Sequence, residues 1–174
     1  METVRLSPFT SMYQTLCIEY DEIIRTAPIV LNLNETLKVD VAMHLIDALV
    51  EAGRLAPELR NAAFADVHAR EVLGGCTALA NGISIPHCRF AALEDIRVAI
   101  GVHHDGLDCG AMDGMPSRIF VLVLSSPKQP KAHIRFLSEI NRRLLLPEIR
   151  EHILLASDPE AVRALLLKPI DGGV

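Results

Sequence analysis

The stretch NGISIPHCR, residues 81–89, sets an alternating apolar run against a proline and places a histidine directly after it. Proline fixes its own φ and biases the residue before it toward extended geometry, so Ile83-Ser84-Ile85 is expected to be a strand that stops where His87 appears. The imidazole is thereby held on a rigid edge rather than on a loose loop. Its unperturbed pKa leaves a large neutral, nucleophilic fraction at pH 7. Taken alone, a histidine after a strand is more often structural than a nucleophile or a ligand. The surrounding pattern has to decide.

Downstream, Ile96, Val98, Ile100 and Val102 alternate with Arg97, Ala99, Gly101 and His103, which predicts a strand with one wetter face. Residues 119–124 are apolar without alternation, as expected of a strand covered on both faces. Over residues 131–146 the apolar positions Ile134, Leu137, Ile140, Leu144 and Leu145 recur at helical spacing. His133 precedes Leu137 by four residues and Ile140 by seven, so it falls on the inward side at the start of that helix. Pro147 and the pair Asp158-Pro159 open two further short helices.

Upstream, residues 29–33 form a short β-branched run followed by Asn34-Glu35-Thr36 as a cap, and then an amphipathic helix as far as Gly53. Pro57 begins a second helix with Leu59, Ala63 and Val67 on one face. It carries Arg70 close to its end before Gly74-Gly75. Residues 1–24 read as an N-terminal extension, either an extra helix or a loose arm, and residues 25–170 as one domain. The fold class is α/β, in three layers (α/β/α) with a mixed sheet.

Half of the 174 residues are apolar, enough for one sizeable core. Seventeen basic against 22 acidic residues give a net charge of −5, with no Lys/Arg run, so neither a nucleic-acid footprint nor a polybasic membrane patch is expected. Cys17, Cys76, Cys88 and Cys109 form no C-x-x-C pair or zinc spacing and read as reduced thiols. No apolar run approaches the length of a membrane span, and no charged-then-apolar leader opens the chain. A cytoplasmic protein without cofactor or metal is the expectation.

The motifs gather around residues 70–134. Arg70-Glu71, Cys76-Thr77-Ala78, Gly82 and Ile85-Pro86-His87 follow one another, then Asp108 to Pro116, reading DCGAMDGMP, and finally Ala132-His133-Ile134. Together they resemble the phosphorylation site of the type-2 EIIA domains of the bacterial sugar phosphotransferase system, which include fructose- and mannitol-type transport domains and stand-alone nitrogen-regulatory proteins. The sequence departs from that pattern at Ala78 and Ala80, where the family has glycines, at Cys76 and at Ser84.

The resemblance implies a mannitol-EIIA-like fold and a phosphocarrier in which His87 accepts a phosphoryl group through Nε2 from an HPr-like protein, with no metal or nucleotide. Arg70, His133 and Thr77 would be donors to the phosphoryl oxygens. In transport members the next acceptor is a cysteine of an EIIB domain; a nitrogen-regulatory role is the preferred reading, with an EIIB partner or a regulatory target protein both open.

Each of these residues also has an ordinary explanation. Arg70 would be a solvated helix arginine paired with Glu71 or Asp66, His133 a core histidine, and Thr77 a turn residue. A non-catalytic interaction module on the same fold competes if Ala78 and Ala80 close the pocket. A metal hydrolase using His87, His133 and Asp113 is disfavoured by the lack of a tight ligand motif. His103-His104 before Asp105-Gly106 reads as a surface turn, Asp113-Gly114 as a turn that shapes the site, and Cys88 as small packing.

Overall fold

The computed structural model describes residues 19–74 and 77–170. The readings for residues 1–18 of the N-terminal extension, and for Cys17 and Cys76, fall outside them. Residues 19–26 are helical (α1). There follow β1 (Ile29–Val30), α2 (Lys38–Glu51), a 3-10 turn at Pro57–Leu59 that runs into α3 (Arg60–Gly74), β2 (Ala78–Leu79), β3 (Ile83–Ser84), β4 (His87–Arg89), β5 (Arg97–Leu107), β6 (Ser117–Ser125), α4 (Pro130–Leu144), α5 (Pro147–Leu155) and α6 (Pro159–Leu167).

β6 is the axis of the molecule. Its consecutive apolar residues are explained by two cores: Ile119, Val121 and Val123 face one, Phe120, Leu122 and Leu124 the other. On one side β6 pairs antiparallel with β5, which pairs in parallel with β1. On the other it pairs in parallel with both β3 and β4, and β2 closes that edge as an antiparallel hairpin with β3. Among the described residues this is one six-stranded mixed sheet.

Each face of the sheet is covered by helices whose apolar stripes the sequence spacing sets. The first core takes Tyr20 and Ile24 of α1, Phe136, Ile140 and Leu144 of α4, Ile149 and Ile153 of α5, and Val162 and Leu166 of α6. The second takes Val41, Leu45, Ile46 and Leu49 of α2 with Ala63 and Val67 of α3. The three-layer α/β fold with a mixed sheet is therefore the observed architecture.

Several local expectations are corrected. The strand begun at Ile83 ends at Ser84, before His87 as expected, but His87 opens a further strand instead of closing the extended run. Pro86, with no N–H to donate, interrupts the ladder, while its carbonyl accepts Val123 N–H at 2.9 Å and the chain re-enters the sheet as β4, His87 opposite Val123. His103 is no surface turn: β5 continues to Leu107 past an irregularity after Val102, and the buried ring meets the Glu35 carbonyl through Nε2 at 3.0 Å. The polar cap expected at Asn34-Glu35-Thr36 is replaced by Leu37, which makes no side-chain cap bond. Asp158 does cap, its Oδ1 accepting Ala161 N–H at 2.9 Å, and α4, α5 and α6 each start with a proline.

Candidate functional site

His87 opens β4 at the point where Pro86 has just interrupted the ladder. Its Nδ1 lies 2.8 Å from the carbonyl oxygen of Ile85. A carbonyl only accepts, so Nδ1 carries the ring proton and the neutral imidazole keeps its lone pair on Nε2. The side chain is half-buried.

His133, in the first turn of α4, stands against it with ring centroids 5.7 Å apart and planes inclined by 53°. Only 7% of it is exposed, so it lies inward, as its helical spacing predicts. Burial above all, then the positive charge of Arg89 and the neighbouring His87, push its pKa down to about 4. The ring is thus neutral at pH 7. Its Nδ1 is 2.7 Å from Ser125 Oγ at the end of β6, and that hydroxyl lies 3.3 Å from the carbonyl oxygen of Cys88. Arg89, two residues beyond His87, shares its side of the strand and is exposed.

Arg70 sits in the C-terminal half of α3, the helix that packs against β4. It pairs with neither Glu71 nor Asp66: Glu71 binds Lys38, with Nζ and Oε2 2.5 Å apart, and accepts the hydroxyl of Thr77 on Oε1. Arg70 Nη1 is buried without a hydrogen-bond partner. A buried cationic donor left unpaired is costly, and an anion is the group that would satisfy it. Thr77 is buried with its hydroxyl proton committed to Glu71.

Between Thr77 and His87 the chain turns through Asn81 and Gly82, both with positive φ (67° and 74°). Asp113 holds this turn, its Oδ2 accepting Asn81 N–H at 2.7 Å and its Oδ1 accepting Met115 N–H at 3.1 Å. Both oxygens are engaged on backbone, and among the described residues no group of three or more His, Cys, Asp or Glu is placed to hold a metal ion. Ala78 and Ala80 do not have positive φ, so alanine is unstrained there. Cys88 is buried, and burial raises its thiol pKa to about 12, leaving it inert.

Sequence reasoning missed Ser125, Arg89 and the Lys38–Glu71–Thr77 chain. Arg89 had a signal, its period-two relation to His87. The other contacts follow no regular period: 33 positions separate Lys38 from Glu71, six separate Glu71 from Thr77 and eight separate Ser125 from His133. No local pattern announces them.

Two imidazoles facing each other, one with its proton position fixed by a carbonyl oxygen and the other bonded to a hydroxyl, and an unmet guanidinium nitrogen on a neighbouring helix, suit the class of proteins that handle a transferable anion. The chain belongs to the family described as phosphoenolpyruvate-dependent sugar phosphotransferase system, EIIA 2, which matches residues 22–168. It is 30% identical over 127 residues to the fructose-specific EIIA component of Haloferax volcanii, covering 73% of this chain and 80% of that protein. Against the nitrogen regulatory protein of Pseudomonas aeruginosa identity is 30% over 110 residues, 63% of this chain and 70% of that one. With the fructose-specific EIIABC component of Bacillus subtilis it shares 26% over 141 residues, 81% of this chain but 22% of that longer protein.

Among solved structures, the nitrogen regulatory protein IIA-Ntr of Neisseria meningitidis superposes with a TM-score of 0.75 at 27% identity, covering 83% of this chain and 99% of that one. IIA mannitol of Escherichia coli shares the fold at a TM-score of 0.66 and 20% identity, over 79% and 94% of the two chains. The expected mannitol-EIIA-like fold is therefore found. The protein is an EIIA-type phosphotransferase component with both sugar-specific and nitrogen-regulatory relatives. No helix among the described residues is long and apolar enough to cross a membrane.

Proposed function

We propose that residues 25–170, together with α1, whose Tyr20 and Ile24 lie in the first core, form a cytoplasmic phosphocarrier domain in which His87 accepts a phosphoryl group from the phosphohistidine of an HPr-like protein. The observation that carries this reading is the 2.8 Å contact of His87 Nδ1 with the Ile85 carbonyl, which leaves Nε2 as the attacking atom. The Nε2 lone pair forms the new N–P bond while the N–P bond to the donor imidazole breaks, its electron pair staying with the donor ring. The transition state is loose and its charge lies on the equatorial oxygens, so the protein's task is positioning and charge complement.

Arg70 supplies the unpaired guanidinium nitrogen and His133 a neutral imidazole beside the phosphoryl oxygens. Thr77 acts through its bond to Glu71, since its hydroxyl proton is already committed. A nitrogen-regulatory role is supported by the superposition on the Neisseria protein over 99% of that chain. A sugar-transport role, with an EIIB cysteine as next acceptor, is supported by the Haloferax relative and by the E. coli mannitol enzyme, whose IIA has been solved in complex with phosphorylated IIB.

Incubation with phosphoenolpyruvate, EI and an HPr-type carrier is expected to add one acid-labile phosphoryl group to the wild type and none to His87→Ala by intact mass. Transfer is expected to survive EDTA. A wild-type mass that stays unchanged with several HPr homologues favours the interaction-module reading.

A further inference from the structure

His133 stands beside His87 with one ring proton and two nitrogens to carry it. The buried Ser125 hydroxyl touches Nδ1 at 2.7 Å and the Cys88 carbonyl oxygen at 3.3 Å, and it has a single proton for the two. Two arrangements satisfy this geometry. In the first, His133 Nδ1–H donates to Ser125 Oγ and the hydroxyl donates to Cys88, which meets every buried donor but leaves Nε2 as a bare acceptor. In the second, the hydroxyl donates to Nδ1 and Nε2 carries the proton. Of these two neutral arrangements only the second can donate to an anion, through Nε2–H.

We propose that Ser125 is a positioning residue that switches the tautomer of His133. With His87 bare, the hydroxyl donates to Cys88 and His133 is protonated at Nδ1. With a phosphoryl group on His87, the hydroxyl turns to Nδ1 and His133 presents Nε2–H to a phosphoryl oxygen. Ring and hydroxyl carry one proton each in both arrangements; the ring loses its proton at Nδ1 to solvent and takes one at Nε2 from solvent. A charge-assisted bond to the dianion replaces the weaker bond to the Cys88 carbonyl. The inference rests on the phosphocarrier reading of His87.

Long-range 1H–15N spectra of the imidazole nitrogens, in protein held phosphorylated by excess phosphoenolpyruvate, EI and carrier, read the tautomer directly. The wild type is expected to show Nδ1–H in the free form and Nε2–H when phosphorylated. Ser125→Ala is expected to lose that change and accept the phosphoryl group at least about tenfold more slowly, and Ser125→Thr, which keeps the hydroxyl, to restore both. A phosphorylated wild type whose His133 tautomer is unchanged overturns the switch while leaving the phosphocarrier standing. So does a Ser125→Ala protein that transfers at the wild-type rate. A wild type that gains no phosphoryl group overturns both. The wild-type spectra need no variant, so a Ser125→Ala chain that fails to fold still leaves the switch open to refutation.

Discussion

The carboxylate of Asp113 accepts the backbone N–H of Asn81 at 2.7 Å, so a loop between β5 and β6 holds the turn that leads into the histidine-bearing segment. Asn81 N–H foremost, then Met115 N–H, hold this carboxyl below the usual carboxylate range. A lowered folded-state pKa contributes stability that is full above the ordinary carboxyl value and lost as pH falls through the folded one. Asp113→Ala is expected to melt below wild type at pH 7, with the gap closing below about pH 4. Thermal melts of both proteins across pH 2–7 check this; a gap that does not narrow as the pH falls below about 4 refutes it.

His133 has a linkage of the same sign in a higher pH window. Its folded-state pKa, about 4, lies under the ordinary imidazole value, so between the two the unfolded chain binds the extra proton. Stability is expected to fall as pH drops from about 6.5 toward about 4, and His133→Gln to lack that component. Ring-proton shifts followed by NMR should leave His133 neutral at pH 5.

On the phosphocarrier reading, His133 is expected to matter for rate, as a neutral donor, rather than as a second acceptor. Removing one preorganised donor costs roughly 10²–10³ in rate. His133→Ala should still be phosphorylated on His87 but slowed to that extent, and His133→Gln should recover part of the loss. Rapid-quench transfer from the phosphorylated carrier measures it.

Gly82 has a φ of 74°, and a Cβ added there would lie 3.2 Å from the carbonyl oxygen of Pro116. Gly82→Ala is expected to destabilise by about 1–2 kcal/mol from the left-handed backbone alone. Urea unfolding gives the value, with Ala80→Gly, at a position without positive φ, as a control expected to gain nothing.

Helices α2 to α6 were legible because each combines an apolar stripe with a first-turn proline or a terminal glycine, and β6 because an uninterrupted apolar run has to be covered on both faces; α1, with neither mark, reads in sequence as either a helix or a loose arm. The approach of His133 to His87 was legible too, since period 3.6 turned one inward and the proline fixed the other. β4 was not, because proline breaks a ladder visibly in sequence while the partner that rejoins it, Val123, lies 36 residues on. The polar tail of β5, His103-His104-Asp105-Gly106, looks like a turn; pairing with β6 carries it on regardless, and the Glu35 carbonyl meets the His103 ring. Ser125 carries no local mark at all. Its role depends on a backbone carbonyl and a helix that only the sheet brings together.

Because β4 rejoins the sheet after a single proline, His87 is mounted like a terminal on a fixed board, with Val123 N–H held by Pro86 behind it and the laddered Cys88 and Arg89 ahead. Phosphorylation there would add about two negative charges without giving the surrounding backbone anywhere to go. On the phosphocarrier reading, a partner that distinguishes the two forms does so by voltage rather than by shape, and its affinity difference should shrink with added salt.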